Sequence, residues 1–339
     1  MFIERMRRNL RRRAGEFCLF VLGACGSTHA PAHDDAKQAA AMPAAHDDDA
    51  PPSPAIHVAA NDSATRSPID ATPSPDGARV YYLAFSTDAA GESQAGVFAT
   101  AADGGKIDTL ASGPPLLTPV GITISLDGKQ LFIADAAAGD DASGGLFALA
   151  ADGGAPSLLS GTAGYRPAGV TIAKTGDDAL LYFTGRDPNS GQAGVFSVAP
   201  SGGAVRALHA GDDISQPGGV TVSGAGDVYI ADVTEDGARV LRVHDDAADT
   251  FVDDIGVGFP AGITLTHDDR TLLVSGLDPD TKHDLVYFVD VASKKLTLLR
   301  DPVAAFSESA GLHRAHDRDL FAWADSEANA TGTVYVLEP

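Results

Sequence analysis

The stretch Pro119 to Thr162, PVGITISLDGKQLFIADAAAGDDASGGLFALAADGGAPSLLSGT, constrains the fold most, because variants of it recur through most of the chain. Six copies align on their opening segments: Pro68-IDATPSPDGARVYYLA, Pro119-VGITISLDGKQLFIAD, Pro167-AGVTIAKTGDDALLYFTG, Pro217-GGVTVSGAGDVYIAD, Pro260-AGITLTHDDRTLLVSG and Ser309-AGLHRAHDRDLFAWAD. Their starts are 51, 48, 50, 43 and 49 residues apart. Each unit carries four strand candidates separated by Asp/Gly turns, which in the second are GITIS, QLFIA, GLFALA and PSLLS. One such unit cannot bury a four-stranded sheet by itself, and a ring of them can. The expectation is an all-β protein, a six-bladed β-propeller of four-stranded antiparallel blades. The middle strands are almost continuously apolar, as suits sheets covered on both faces.

The sixth unit stops after three strands, with GTVYVLEP, while an unassigned strand-like piece, Ala55-IHVAAND, stands before the first unit. Each explains the other if the N-terminal piece supplies the outer strand of the last blade. This 3+1 closure removes an open sheet edge.

The propeller is therefore expected over residues 55–339, and what precedes it has another composition. Residues 1–24 hold six arginines and the apolar run Phe17 to Leu22, which reads as a secretory signal peptide too short for a membrane span. The run ends Leu22-Gly23-Ala24-Cys25, which resembles a bacterial lipobox and implies lipidation of Cys25. Such a chain is expected in the cell envelope, lipid-anchored in the periplasm or at the outer membrane, with secretion as the second choice. Residues 25–54 are Ala, Pro, Asp and His with almost no large apolar side chain, the composition of a disordered tether. Only Cys18 and Cys25 are present, so the mature chain has no cysteine pair for a disulfide or a thiolate metal site.

Charge narrows the partners. Lys+Arg 24 against Asp+Glu 46 gives −22, a field that repels nucleic-acid phosphates and anionic headgroups. An envelope protein, a peptide or a glycan remains, with the propeller itself a monomer.

The third strands and the turns after them, GVFATAADGGKIDTLASG, GLFALAADGGAPSLLSGT and GVFSVAPSGGAVRALHAG, resemble repeats of TolB-type propellers. The segment PGGVTVSGAGDVYIADVTEDGARVLRV resembles NHL repeats and the related gluconolactonase (SMP-30-like) propellers. The resemblance implies a six-bladed TolB-like architecture, and its families include binding modules, lyases and lactone hydrolases. In the lactone hydrolases a divalent metal is held partly by Asn or Asp between the Pro and Gly of PNG- and PDG-type motifs. Here that slot holds Val120, Ala168, Gly218, Ala261 and Ala310, so the ligand set does not carry over.

Three patterns nominate site residues. The first is a small residue two places before a Thr on the inner strand: Gly121/Thr123, Gly169/Thr171, Gly219/Thr221 and Gly262/Thr264, with Asp70/Thr72 in the first unit. Glycine lets inner strands approach at the axis, and the threonines either pack there or form a ring of hydroxyls lining a polar channel. The second is the departure of the sixth unit, where His313 replaces the Thr, Arg314 takes an apolar position and Trp323 is the one tryptophan. These either fit the closing blade to a foreign strand or form a group that binds an anion or a ring, with His313 an acid or base. His316 aligns with His267 in a turn and is expected to be solvated.

The third pattern is Asp135, Asp232 and Asp325, which close the second strand in alternate units. They either accept backbone N–H bonds in the following turn or form a carboxylate rim suited to calcium. The long loops after the second strands and the Pro-x-Gly connections fall at one end of the ring, and short turns such as LDGK and ADGG at the other. Variable loops on a rigid scaffold favour the loop face for binding. The expected function is a non-catalytic binding or scaffolding propeller contacting its partner there; the alternative is a lactonase- or lyase-type enzyme with its site at the channel mouth on that face.

Overall fold

Alternation of side chains across a strand puts neighbours in sequence into different neighbouring blades, and this rule organises the protein. In the computed structural model, residues 55–139, 142–234, 237–255, 262–277, 284–299 and 309–338 are described. The expected signal peptide, Cys25 and the tether lie outside them. Blade one is β2 (Arg66–Pro73), β3 (Arg79–Thr87), β4 (Ser93–Ala101) and β5 (Asp108–Ser112). Blade two is β6 (Pro119–Ile124), β7 (Gln130–Asp135), β8 (Gly145–Ala150) and β9 (Ser157–Leu158). Blade three follows as β10 (Val170–Thr175), β11 (Asp178–Arg186), β12 (Ala193–Val198) and β13 (Arg206–Ala210). Blade four is β14 (Gln216–Val222), β15 (Val228–Thr234), β16 (Gly237–His244) and β17 (Ala247–Ile255). Blade five is β18 (Ile263–Leu265), β19 (Thr271–Leu277), β20 (Asp284–Asp290) and β21 (Leu296–Leu299). Blade six is β22 (Ser309–Arg314), β23 (Phe321–Asp325), β24 (Thr333–Glu338) and, from the other end of the chain, β1 (Ala55–Ala60).

The closure is as the sequence implies. β1 runs antiparallel to β24, with Ala55 opposite Glu338 and Val58 opposite Tyr335. Blades two to five are separate four-stranded sheets, while blades six and one merge into eight strands through a parallel bridge of β2 and β22 that sets Asp70 opposite Gly311. The ring is thus sealed twice, at the rim by β1 and at the axis by the two inner strands.

Six apolar clusters fill the spaces between adjacent blades. On β7, Leu131 and Ile133 pack with Leu83 and Val97 of blade one, whereas Phe132 and Ala134 pack with Phe183 and Phe196 of blade three. Every residue of such a strand is therefore interior, which accounts for the unbroken apolar runs. Trp323 belongs here too. It is fully buried, tilted against Tyr335 at 5.5 Å and packed with Leu273, Val286 and Leu299 of blade five. The expectation that it stacks on a ligand is corrected: its place on β23 directs it into the interface of blades five and six.

One outer strand is shorter than its sequence suggests. PSLLS contributes only Ser157–Leu158 to β9, because Pro156 has no N–H for a ladder and the chain then turns inward. There the Thr162 hydroxyl takes the Leu146 N–H at 3.0 Å.

Deleting residues 55–61 removes β1, uncovers the edge of β24 and takes Ala59 and Ala60 from the cluster of blades six and one. The expected result is a lower thermal midpoint by circular dichroism and concentration-dependent association in size-exclusion chromatography. A monomer with unchanged midpoint would contradict the closure.

Candidate functional site at the propeller axis

Six inner strands converge on the axis, and side-chain volume decides how close they come. A Cβ on Gly121 would sit 3.2 Å from the Cα of Gly169, and one on Gly169 would sit 2.5 Å from the carbonyl oxygen of Gly218. No alanine fits at Gly169 without moving backbone, so glycine there is a packing requirement. In blade one the equivalent residue is Asp70, and its carboxylate lies in the space that the glycine of the facing strand, Gly311, leaves open.

Asp70 is 2 % exposed. Its Oδ1 accepts the N–H of Ala71 at 2.8 Å, and its Oδ2 accepts the N–H of Ile122 in blade two at 2.7 Å and Nε2–H of His313 in blade six at 3.1 Å. One carboxylate thus ties three consecutive blades across the closure. A buried carboxylate is tolerated only when its lone pairs are taken, and hydrogen bonds to a charged group contribute about 1.5–3 kcal/mol each.

His313 separates two spaces on the axis. Towards the loop face lies a cavity of about 10 Å³, walled by Val120, Ala168, Gly219 and Gly311 together with Asp70 and His313. Towards the short turns lies a polar chamber of about 60 Å³. Thr123, Thr171, Thr221 and Thr264 line this chamber, one from each of blades two to five. The expected ring of hydroxyls is present, and His313 and Arg314 join it. Its mouth, however, is among the turns after the inner strands, where Asp269 and His316 complete the wall. Towards the loop face, the converging glycines leave only the smaller cavity on the axis among the described residues.

Arg314 replaces an apolar residue and serves as a clamp. Its Nε donates to the carbonyl of Leu265 in blade five at 2.8 Å, and Nη1 donates to Ala315 at 2.6 Å and His316 at 3.3 Å. Burial pushes its pKa down, against the pull of Asp319, whose carboxylate is 3.9 Å away. His316 is not the solvated turn residue expected. Its Nε2–H donates to the carbonyl of Ile124 at 2.8 Å, spanning from blade six to blade two. Burial, with the nearby Arg314 charge, lowers its pKa below the ordinary 6.5. Neighbouring turns are stitched similarly, by Gly224 N–H to Asp269 at 2.7 Å and His267 N–H to Asp319 at 2.7 Å.

The three rim aspartates are all fully buried. Asp135 accepts the N–H groups of Leu117 and Thr118 before its blade, at 2.8 and 3.1 Å, and of Ala137 and Ala138 after it, at 3.0 and 2.8 Å. Asp232 accepts Ser215 and Gln216 N–H and a two-pronged contact from Arg239 at 3.0 and 2.8 Å. Asp325 accepts Glu327 and Ala328 N–H. Asp135 and Asp232 fix blade-to-blade connections and Asp325 fixes the loop after its own strand, so all three accept backbone N–H groups, the first of the two readings. Among the described residues no group of three or more His, Cys, Asp or Glu is arranged to hold a metal. In blades three and five a hydroxyl does similar work one residue earlier. Thr184 takes Gly169 N–H at 2.9 Å, and Ser275 takes Gly262 N–H at 2.5 Å.

No family model and no curated protein matches the sequence. Solved structures do match its fold. The PQQ-bound aldose sugar dehydrogenase of Streptomyces coelicolor superposes with a TM-score of 0.58 at 14% identity, over 85% of this chain and 99% of that one. A gluconolactonase of Xanthomonas campestris gives 0.56 at 15% identity, over 83% and 88%. TolB of Acinetobacter baumannii gives 0.53 at 12% identity over 70% of this chain, and the match spans about half of TolB, 55%. At these identities the likeness is one of fold, the β-propeller shared by enzymes and TolB-like proteins.

Two substitutions test the axis. Asp70→Ala leaves the Ile122 N–H and the His313 ring without their acceptor and should cost about 2–5 kcal/mol in urea unfolding. His316→Gln keeps a donor for Ile124 and removes the titrating ring. Below pH 6.5 the unfolded wild type gains a proton at His316 that the fold resists, so this contribution is complete above 6.5 and is lost as pH falls through the lower folded value. The variant should lose less stability than wild type between pH 7 and 5; parallel curves would contradict the buried neutral ring.

Proposed function

We propose that this chain is an envelope-anchored, non-catalytic binding or scaffolding propeller that contacts an envelope protein, peptide or glycan through its loop face. One observation carries the reading: the side chains with chemical potential at the axis and rim are committed to holding blades together. His313 is tied to Asp70, Arg314 to backbone carbonyls, and the rim aspartates to connecting N–H groups. A scaffold so fixed presents loops of varied length on one face. Leu117, in the connection to blade two, is 51% exposed, and Glu92 and Asp212 are exposed acidic residues of other loops. The TolB-like fold supports the same reading. The anchor is the lipidated Cys25 that follows the signal peptide, and the propeller is a monomer.

A second reading is a lactonase- or lyase-type enzyme. It is favoured by the His313–Asp70 pair, an imidazole oriented by a buried carboxylate at the border of a polar chamber, and by the likeness to a gluconolactonase. Its site would be the chamber mouth at the short turns.

Cys25→Ser should move the chain from the membrane fraction to the soluble fraction. In cross-linking from intact envelopes, Leu117→Asp with Glu92→Lys should abolish partner capture while His313→Gln leaves it intact. Capture that survives the loop substitutions, or lactone hydrolysis that disappears with His313→Gln, favours the enzyme instead.

A further inference from the structure

The wall of the axial chamber is more polar than a propeller core requires. Thr123, Thr221 and Thr264 are 2%, 7% and 6% exposed, and none of their hydroxyls has a hydrogen-bond partner among the described residues. An inner-strand β-branched residue packs equally well as Val, so packing does not require these hydroxyls, which open onto the chamber. Four blades nevertheless place a hydroxyl at this same position around one space.

The other wall groups define what these hydroxyls can hold. His316 spends Nε2–H on Ile124 and His313 spends Nε2–H on Asp70, so Nδ1 is the polar atom each ring has left. Arg314 and Asp269 bring opposite charges to the mouth. An anion would meet Asp269 and, behind His313, Asp70; a dication would meet the guanidinium and a wall dominated by neutral hydroxyls. The complementary guest is uncharged and both donates and accepts. A space of about 60 Å³ holds roughly four to six water-sized atoms at 10–15 Å³ each, the four heavy atoms of a two-carbon diol among them.

We propose that the chamber at the short-turn mouth of the axis is a binding site for the diol end of a small neutral polyol. It lies at the opposite end of the axis from the loop face and does not depend on a partner bound there.

The test is saturation-transfer NMR on the full chain with ethylene glycol and glycerol, and with potassium formate and acetamide as competitors. Both diols should show saturable transfer. The double variant Thr123→Val/Thr221→Val should weaken it about 5- to 10-fold, as expected for one or two lost hydrogen bonds. Its melting temperature should stay close to that of wild type, since Val fills the same volume in the strand. Thr264→Ser, which keeps the hydroxyl and adds no bulk, should retain affinity, and Leu117→Asp on the other face should not change it. Transfer that does not saturate, affinity indifferent to the Thr→Val pair, or tighter competition by formate, potassium or acetamide overturns the proposal.

Discussion

The structure depends on a packing limit at the axis. Six strands approach one line, and the separation they reach is set by what stands at one register position in each. Glycine at Gly121 and Gly169 brings backbones nearly into contact, and the space that Gly311 leaves open takes a single larger group, Asp70. Its carboxyl oxygens are accommodated because backbone N–H groups and an imidazole surround them. A carboxylate with fixed acceptor directions also selects which blades stand on either side. The last blade is recognised by chemistry as well as by shape, which an apolar plug would not achieve.

Away from the axis, the same logic recurs with different groups. Connections between blades leave backbone N–H groups that no ladder satisfies, and Asp135 and Asp232 accept them, while Asp325 accepts those of the loop after its own strand. At the opposite end, Arg314, His316, Asp269 and Asp319 join turns of neighbouring blades. Polar side chains therefore act between blades, while apolar clusters supply the bulk of the burial. Conserving these contacts leaves the loops free to vary in length.

Much of the fold was legible because a propeller is written as a period. The strand count, the long apolar runs and the foreign strand in the last blade all follow from comparing copies of one unit. The axial threonines were legible for the same reason. Individual long-range bonds were not. Asp70 stood out in the alignment as the one acidic residue in a glycine slot, yet its meaning required knowing that Gly311 faces it. Trp323 looked available because tryptophan is rare here, but strand parity sends it into an interface. His316 looked like an ordinary turn residue, since no pattern within the unit announces a carbonyl two blades away.

The seam has a further consequence in time. β1 is among the first strands of the propeller to be synthesised and its partner β24 ends at Glu338, while the Asp70–His313 bond joins residues 243 positions apart. Neither seal can form until nearly the whole chain exists, so β1 waits without its partner strand and β2, paired with β3 on one side, waits for its bridge to β22. Ring closure is then a late event dominated by distant contacts, slow by its topology and exposed to pairing with the wrong edge. A chain built this way gains from being kept unfolded until its last strand is available.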